Sequence, residues 1–180
     1  MPKTYTDLSN VTTGSVLTAT AYNNHIANTE NVIVPPLVQV RRTTNQTGYS
    51  GGTAITWESV GIASTDDTMW AASPNPTRVT INSDGIYLVQ FTGRASGAAT
   101  VSLVSAGIMR NGTLVSDSFQ PATSNAGNFS ISAVLDLSAT NYIEAQCNFV
   151  GGSAYVVEGA ASLTQAQTRL TVCWIGKKSF

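Results

Sequence analysis

Arg78-Val79-Thr80-Ile81-Asn82-Ser83-Asp84-Gly85-Ile86-Tyr87-Leu88-Val89-Gln90-Phe91-Thr92-Gly93-Arg94 reads as strand, turn, strand. β-Branched and aromatic residues fill both apolar runs. The Asn-Ser-Asp-Gly stretch between them is made of the residues that turns use. Working outward, the same code continues on both sides. Toward the C-terminus it predicts strands at 101–109 and 114–119, flanking Asn111-Gly112, a dipeptide suited to a type I′ hairpin because both central residues take positive φ. Strands at 129–137, 142–149, 154–157 and 169–175 follow, with Gly151-Gly152 as a turn. Toward the N-terminus it predicts strands at 54–57 and 37–41, separated by a glycine-rich loop at 48–52. Short strands spaced by turn signals predict a sandwich or closed barrel, and the lack of intervening helices excludes a parallel α/β sheet.

The pattern changes at Pro35-Pro36. Before it, Tyr22, Ile26, Thr29 and Ile33 share one helical stripe, with Thr18 or Thr20 as cap and the double proline as stop. Upstream, Tyr5, Leu8, Val11, Val16 and Leu17 are scattered without periodicity, so residues 4–17 read as an extended arm. Such an arm cannot bury its own apolar groups, and a partner surface is their natural sink. The chain therefore divides into a 1–36 arm-and-helix attachment segment and a 37–180 β knob. Leu8, Val11, Leu17, Tyr22 and Ile26 are the candidate attachment contacts.

Composition narrows the function classes. Only 11% of the 180 residues are charged and the formal net charge is -1, without a basic stripe. That argues against nucleic-acid binding. No apolar run approaches the length of a membrane-spanning helix. The N-terminus lacks the apolar core of a secretory signal, so folding in the cytoplasm where the chain is made is expected. Cys147 and Cys173 read as apolar strand fillers rather than a disulfide framework.

Candidate chemistry is thin. His25 is the only histidine, which excludes paired-histidine metal sites, and there is no GxSxG nucleophile elbow. Asp66-Asp67 with Glu58 could gather oxygens for calcium, but Asp at turns more simply bonds the backbone. A glycosidase needs two carboxylates about 5–10 Å apart, which sequence alone does not test. No cofactor, metal or catalytic residue is expected. Trp57, Trp70, Trp174, Tyr87 and Tyr155 could form a sugar-stacking platform, but ring burial favours core or subunit contacts. Trp57, Trp70, Tyr87 and Trp174 are the candidate core or trimer-interface residues.

One resemblance ties these landmarks together. Trp57, Asp67-Thr68-Met69-Trp70, Arg78–Tyr87, Met109-Arg110-Asn111-Gly112 and Arg169–Ile175 occur in an order that resembles the jelly roll of the tumour necrosis factor and complement globular-head superfamily. The resemblance implies an antiparallel jelly-roll sandwich and a homotrimer. The same order of motifs is similar to that of small virion proteins of tailed bacteriophages. Ser15-Val16-Leu17-Thr18-Ala19 with Tyr22-Asn23 resembles the N-terminal segments of phage tail and fibre proteins. The implied function is structural and non-enzymatic: a trimeric decoration or fibre knob of a virion, held to capsid or tail proteins by its N-terminal segment. A host-adhesion module engaging glycan or protein through loops 48–53, 66–77 and 121–127 is the alternative, and a glycan-cleaving enzyme ranks third.

Overall fold

The computed structural model describes residues 18–20, 22–23, 25–26, 29, 34–49, 52–64, 68–97, 103–121, 126–150, 155–159 and 168–177. Leu8, Val11, Leu17, Asp66-Asp67 and Gly151-Gly152 lie outside these residues. Eleven strands are described: β1 (Leu37–Arg41), β2 (Gln46–Tyr49), β3 (Ser59–Ala63), β4 (Val79–Thr80), β5 (Gly85–Ser96), β6 (Leu103–Arg110), β7 (Thr113–Pro121), β8 (Ala126–Leu137), β9 (Tyr142–Val150), β10 (Tyr155–Val157) and β11 (Arg169–Gly176). They form two antiparallel sheets. In the first, β5 pairs along one edge with β8 and along the other with β11 and then β10; β1 and β3 extend it beyond β11, and β2 lies beside β10. The second runs β4-β9-β6-β7. The chain passes from sheet to sheet between β3 and β4, β4 and β5, β5 and β6, β7 and β8, β8 and β9, and β9 and β10, which is the winding of a jelly roll.

The decisive stretch 78–94 explains itself locally. The Asp84 carboxylate accepts a hydrogen bond from the Ala139 backbone N–H at 2.6 Å, fixing the turn. Gly85 must be glycine, because a Cβ there would lie 2.1 Å from the Trp174 indole nitrogen. The Tyr87 hydroxyl donates back to the Ser83 carbonyl at 2.8 Å. From Gly85 to Ser96, alternate residues enter the core: Tyr87, Val89, Phe91 and Ala95 are fully buried. Phe91 meets Trp57 edge-on at 6.3 Å and Phe129 at 4.7 Å, within the range of favourable aromatic pairs. The hairpin forms as expected, with Asn111 at φ 51° and Gly112 at φ 77°. The Asn111 side chain then accepts from the Tyr142 N–H at 2.8 Å and docks the turn on β9.

Three expectations need correction. Residues 54–57 are not a ladder strand, because only Ala54 bridges to Gln146. Ile55 and Trp57 are buried, but their N–H groups go to the carbonyls of Ala145 and Pro76. Strand β1 pairs with β3 and β11, and part of the glycine-rich loop is strand β2. Cys147 is fully buried, but Cys173 is only half-buried and points out of the first sheet.

An ion pair closes the loop between β1 and β2. Arg42, 4% exposed, donates from Nε to the Thr44 carbonyl, from Nη1 to the Thr56 carbonyl and from Nη2 to Glu58 at 2.9 Å. Glu58 also accepts from the N–H groups of Thr43 and Thr44 and from both threonine hydroxyls. Desolvation pushes its carboxyl up, but those four hydrogen bonds outweigh it and bring the pKa from 4.5 to about 2. Burial pulls the Arg42 guanidinium down, and Glu58 pushes it back.

Two outcomes follow. Trp57→Ala removes the largest fully buried ring and is expected to destabilise the fold by about 3–5 kcal/mol in denaturant titration. Because the folded carboxyl of Glu58 titrates below its unfolded value, its contribution is complete above pH 4.5 and is lost as pH falls toward about 2. Glu58→Gln is therefore expected to cost about 2 kcal/mol at neutral pH, discounted because the side chain is 27% exposed. The gap between mutant and parent should close across that acidic window.

Candidate self-association face

Pleating sends the residues between the core positions of β5, β8, β11 and β1 to the outer face of the first sheet. Register lines them up in rows across the strands. One row is Val134, Leu88, Cys173 and Leu37. Val134 is 62% exposed and Leu88 40%, and Ile175 is exposed at the same end. Leu37 and Cys173 are half-buried among them, and desolvation pushes the Cys173 thiol up. The next row is Ser132, Gln90, Thr171 and Gln39, with the Gln39 amide donating to the Thr171 hydroxyl at 3.0 Å. The last is Ser130, Thr92, Arg169, Arg41 and Ser59. There each arginine Nε donates to a neighbouring hydroxyl, Arg169 to Thr92 at 3.2 Å and Arg41 to Ser59 at 3.0 Å. The apolar row is followed by an amide and hydroxyl row that ends in exposed Ile62 beside Gln39, then by the arginine row, while Asp136 stands opposite Ile86 on the other side of the apolar row.

The aromatics singled out from sequence do not meet on one platform. Trp57 is in the core between the sheets, and Tyr87 and Trp174 are buried at the turn before β5. Trp70 is half-buried on the 68–77 segment, where its indole N–H donates to the Pro76 carbonyl at 3.1 Å. Tyr155 stacks on Phe149 at 4.1 Å. Tyr22 and Ile26 lie on a helical turn, 53% and 41% exposed, four residues apart on one stripe. Glu58, a candidate calcium ligand, is committed to Arg42, Thr43 and Thr44. Among the described residues no group of three or more His, Cys, Asp or Glu side chains could hold a metal ion. The outer-face row was missed by sequence reasoning because Leu88, Val134 and Cys173 look like ordinary strand residues until register places them side by side.

No family model and no curated protein sequence matches the chain. Solved structures do. The globular domain of the zebrafish complement 1qA protein superposes with a TM-score of 0.58 at 12% identity, covering 79% of this chain and 99% of that one. The Eiger TNF of S. frugiperda superposes with a TM-score of 0.54 at 12% identity, covering 81% and 96%. At this identity the likeness concerns the fold alone, and the fold is the antiparallel jelly roll of complement globular heads and tumour necrosis factors.

Proposed function

We propose that this chain is a non-catalytic, self-associating knob: a homotrimeric structural protein of a tailed-phage virion, carried on its N-terminal segment. The observation that carries the reading is the apolar row Val134-Leu88-Cys173-Leu37 on the outer face of a sheet whose other face is already core. Water against that row is unfavourable by roughly 25 cal/mol per Å² of apolar surface. A second and third copy relieve it, and trimers are what the jelly-roll resemblance implies. Contact through that row leaves the Arg169 and Arg41 row, two rows away, hydrated, with Asp136 at the rim of the contact. The virion setting draws its support from the motif order and from the 15–23 segment noted in the sequence. The exposed pair Tyr22 and Ile26 supplies apolar contacts for a particle surface.

Light scattering on the purified chain is expected to give a trimer mass at micromolar concentration, and a monomer mass would overturn the reading. Leu88→Asp with Val134→Asp should yield monomers that keep the parent far-ultraviolet spectrum. Thiol labelling gives a second measure: Cys147 should react only on unfolding, whereas Cys173 should be protected in the parent and open in the doubly substituted monomer. For the attachment segment, residues 37–180 alone should fail to bind particles that lack the protein, while the full chain rebinds. A truncated knob that decorates particles as tightly as the full chain would end the attachment reading.

A further inference from the structure

The second sheet turns its outer face away from the proposed contact surface, and it carries a shallow groove of about 100 Å³ open to solvent. Its floor is the middle of β6, where Ser105 and Gly107 are the outward residues. Register sets Phe119 and Asn148 on either side of Ser105, and Asp117 and Gln146 on either side of Gly107. Leu103 and Val150 close one end and Leu114 the other. The floor is low because of Gly107: a Cβ there would come within 2.9 Å of the Leu114 methyl and 3.1 Å of the Gln146 side chain.

The polar groups of this groove contrast with three Arg–Glu pairs of the chain. Arg42 is paired with Glu58, Arg78 with Glu144 and Arg94 with Glu158. The side chains of Ser105, Asp117, Gln146 and Asn148 make no hydrogen bond to any described residue. Ser105 is only 6% exposed and lines the groove. Beside them Phe119 is 60% exposed, with Val150 at 54% and Leu114 at 46%. A hydroxyl, a carboxylate and two carboxamides converge on a space walled by a ring and aliphatic groups.

We infer that this groove binds a neutral saccharide ring. A pyranose presents C–H faces that pack on an aromatic ring and hydroxyls that both donate and accept. Asp117 takes hydroxyl protons as charge-assisted acceptors, and Gln146 and Asn148 supply donors and acceptors. Other classes fit less well. An anion meets the Asp117 carboxylate and no cation in the groove lining. A purely apolar ligand would desolvate four polar groups without pairing them. A metal ion finds one carboxylate where it needs several oxygens. The inference stands on the groove alone and does not depend on trimer formation.

Ligand-observed NMR on the full chain tests it with glucose, galactose, mannose and N-acetylglucosamine, and with glucuronate as the charged control. At least one neutral sugar is expected to bind with a millimolar dissociation constant, more tightly than glucuronate. Asp117→Ala and Phe119→Ala should each weaken it by about tenfold or more while leaving melting temperature and particle mass unchanged. The inference is overturned if none of the four neutral sugars binds, if glucuronate binds best, or if binding survives both substitutions. A change of particle mass in Phe119→Ala also overturns it, because a second copy then covers the groove. Parent chain that is monomeric yet binds sugar through Asp117 and Phe119 supports the groove while removing the trimer.

Discussion

Strand β5 is hydrogen-bonded along both edges, to β8 over its whole length and to β11 and β10 on the other side. A strand held on both sides cannot slip, since a one-residue shift would exchange every inward side chain for an outward one. That pins Tyr87, Val89 and Phe91 inside and Leu88, Gln90 and Thr92 outside. The neighbouring strands inherit the choice through register. The outer row of the first sheet is therefore a consequence of the core: with Phe91 facing Trp57 and Phe129, Leu88 has to stand beside Val134 and Cys173. Core packing and contact surface are two sides of one pleat, and selection on either is felt by the other.

The polar interior of the loop end obeys a different constraint. A buried guanidinium is costly unless it is paired and hydrogen-bonded, and each of the three Arg42 nitrogens donates, to two carbonyls and Glu58. Breaking the pair leaves the remaining charge uncompensated, which is why its energetic weight lies in loss rather than in formation. The same region tolerates close backbone approach: Gly159 sits where a Cβ would fall 2.2 Å from the Thr44 carbonyl oxygen, and its N–H donates to Asn45. Loop geometry at this end is thus fixed by satisfied polar groups rather than by apolar burial. Arg42, Arg78 and Arg94 each pair with a glutamate, whereas Asp117 near Ser105 has no such pair among the described residues.

Most of the fold was legible because the long strands carry their own pattern: β5, β8, β9 and β11 fall where alternating apolar residues and turn signals place them. The misses have a common physical cause. β2 contains Gly48 at φ 65° and β3 has four exposed residues out of five, so neither shows a buried face in sequence. Conversely, Ile55 and Trp57 look like strand residues because they are apolar and bulky. They are buried by packing between the sheets while their backbone bonds go to loop and strand carbonyls singly. Apolar content reports burial, and it reports strand pairing only where the ladder coincides with it. The surfaces were illegible for a further reason. Asp117, Gln146 and Ser105 sit on three strands and become neighbours only through register, and none is unusual in its own segment.

The two outer faces impose complementary demands. A shallow groove with one ring and one carboxylate holds a sugar weakly, because little of the ligand is taken out of water. Such a site gains useful strength only when several copies are presented together, so that after the first contact the others bind at high effective concentration. Self-association through the outer face of the first sheet leaves the second sheet facing outward in every copy. Under the proposed trimer, packing on the apolar row would supply the multiplicity that the groove lacks.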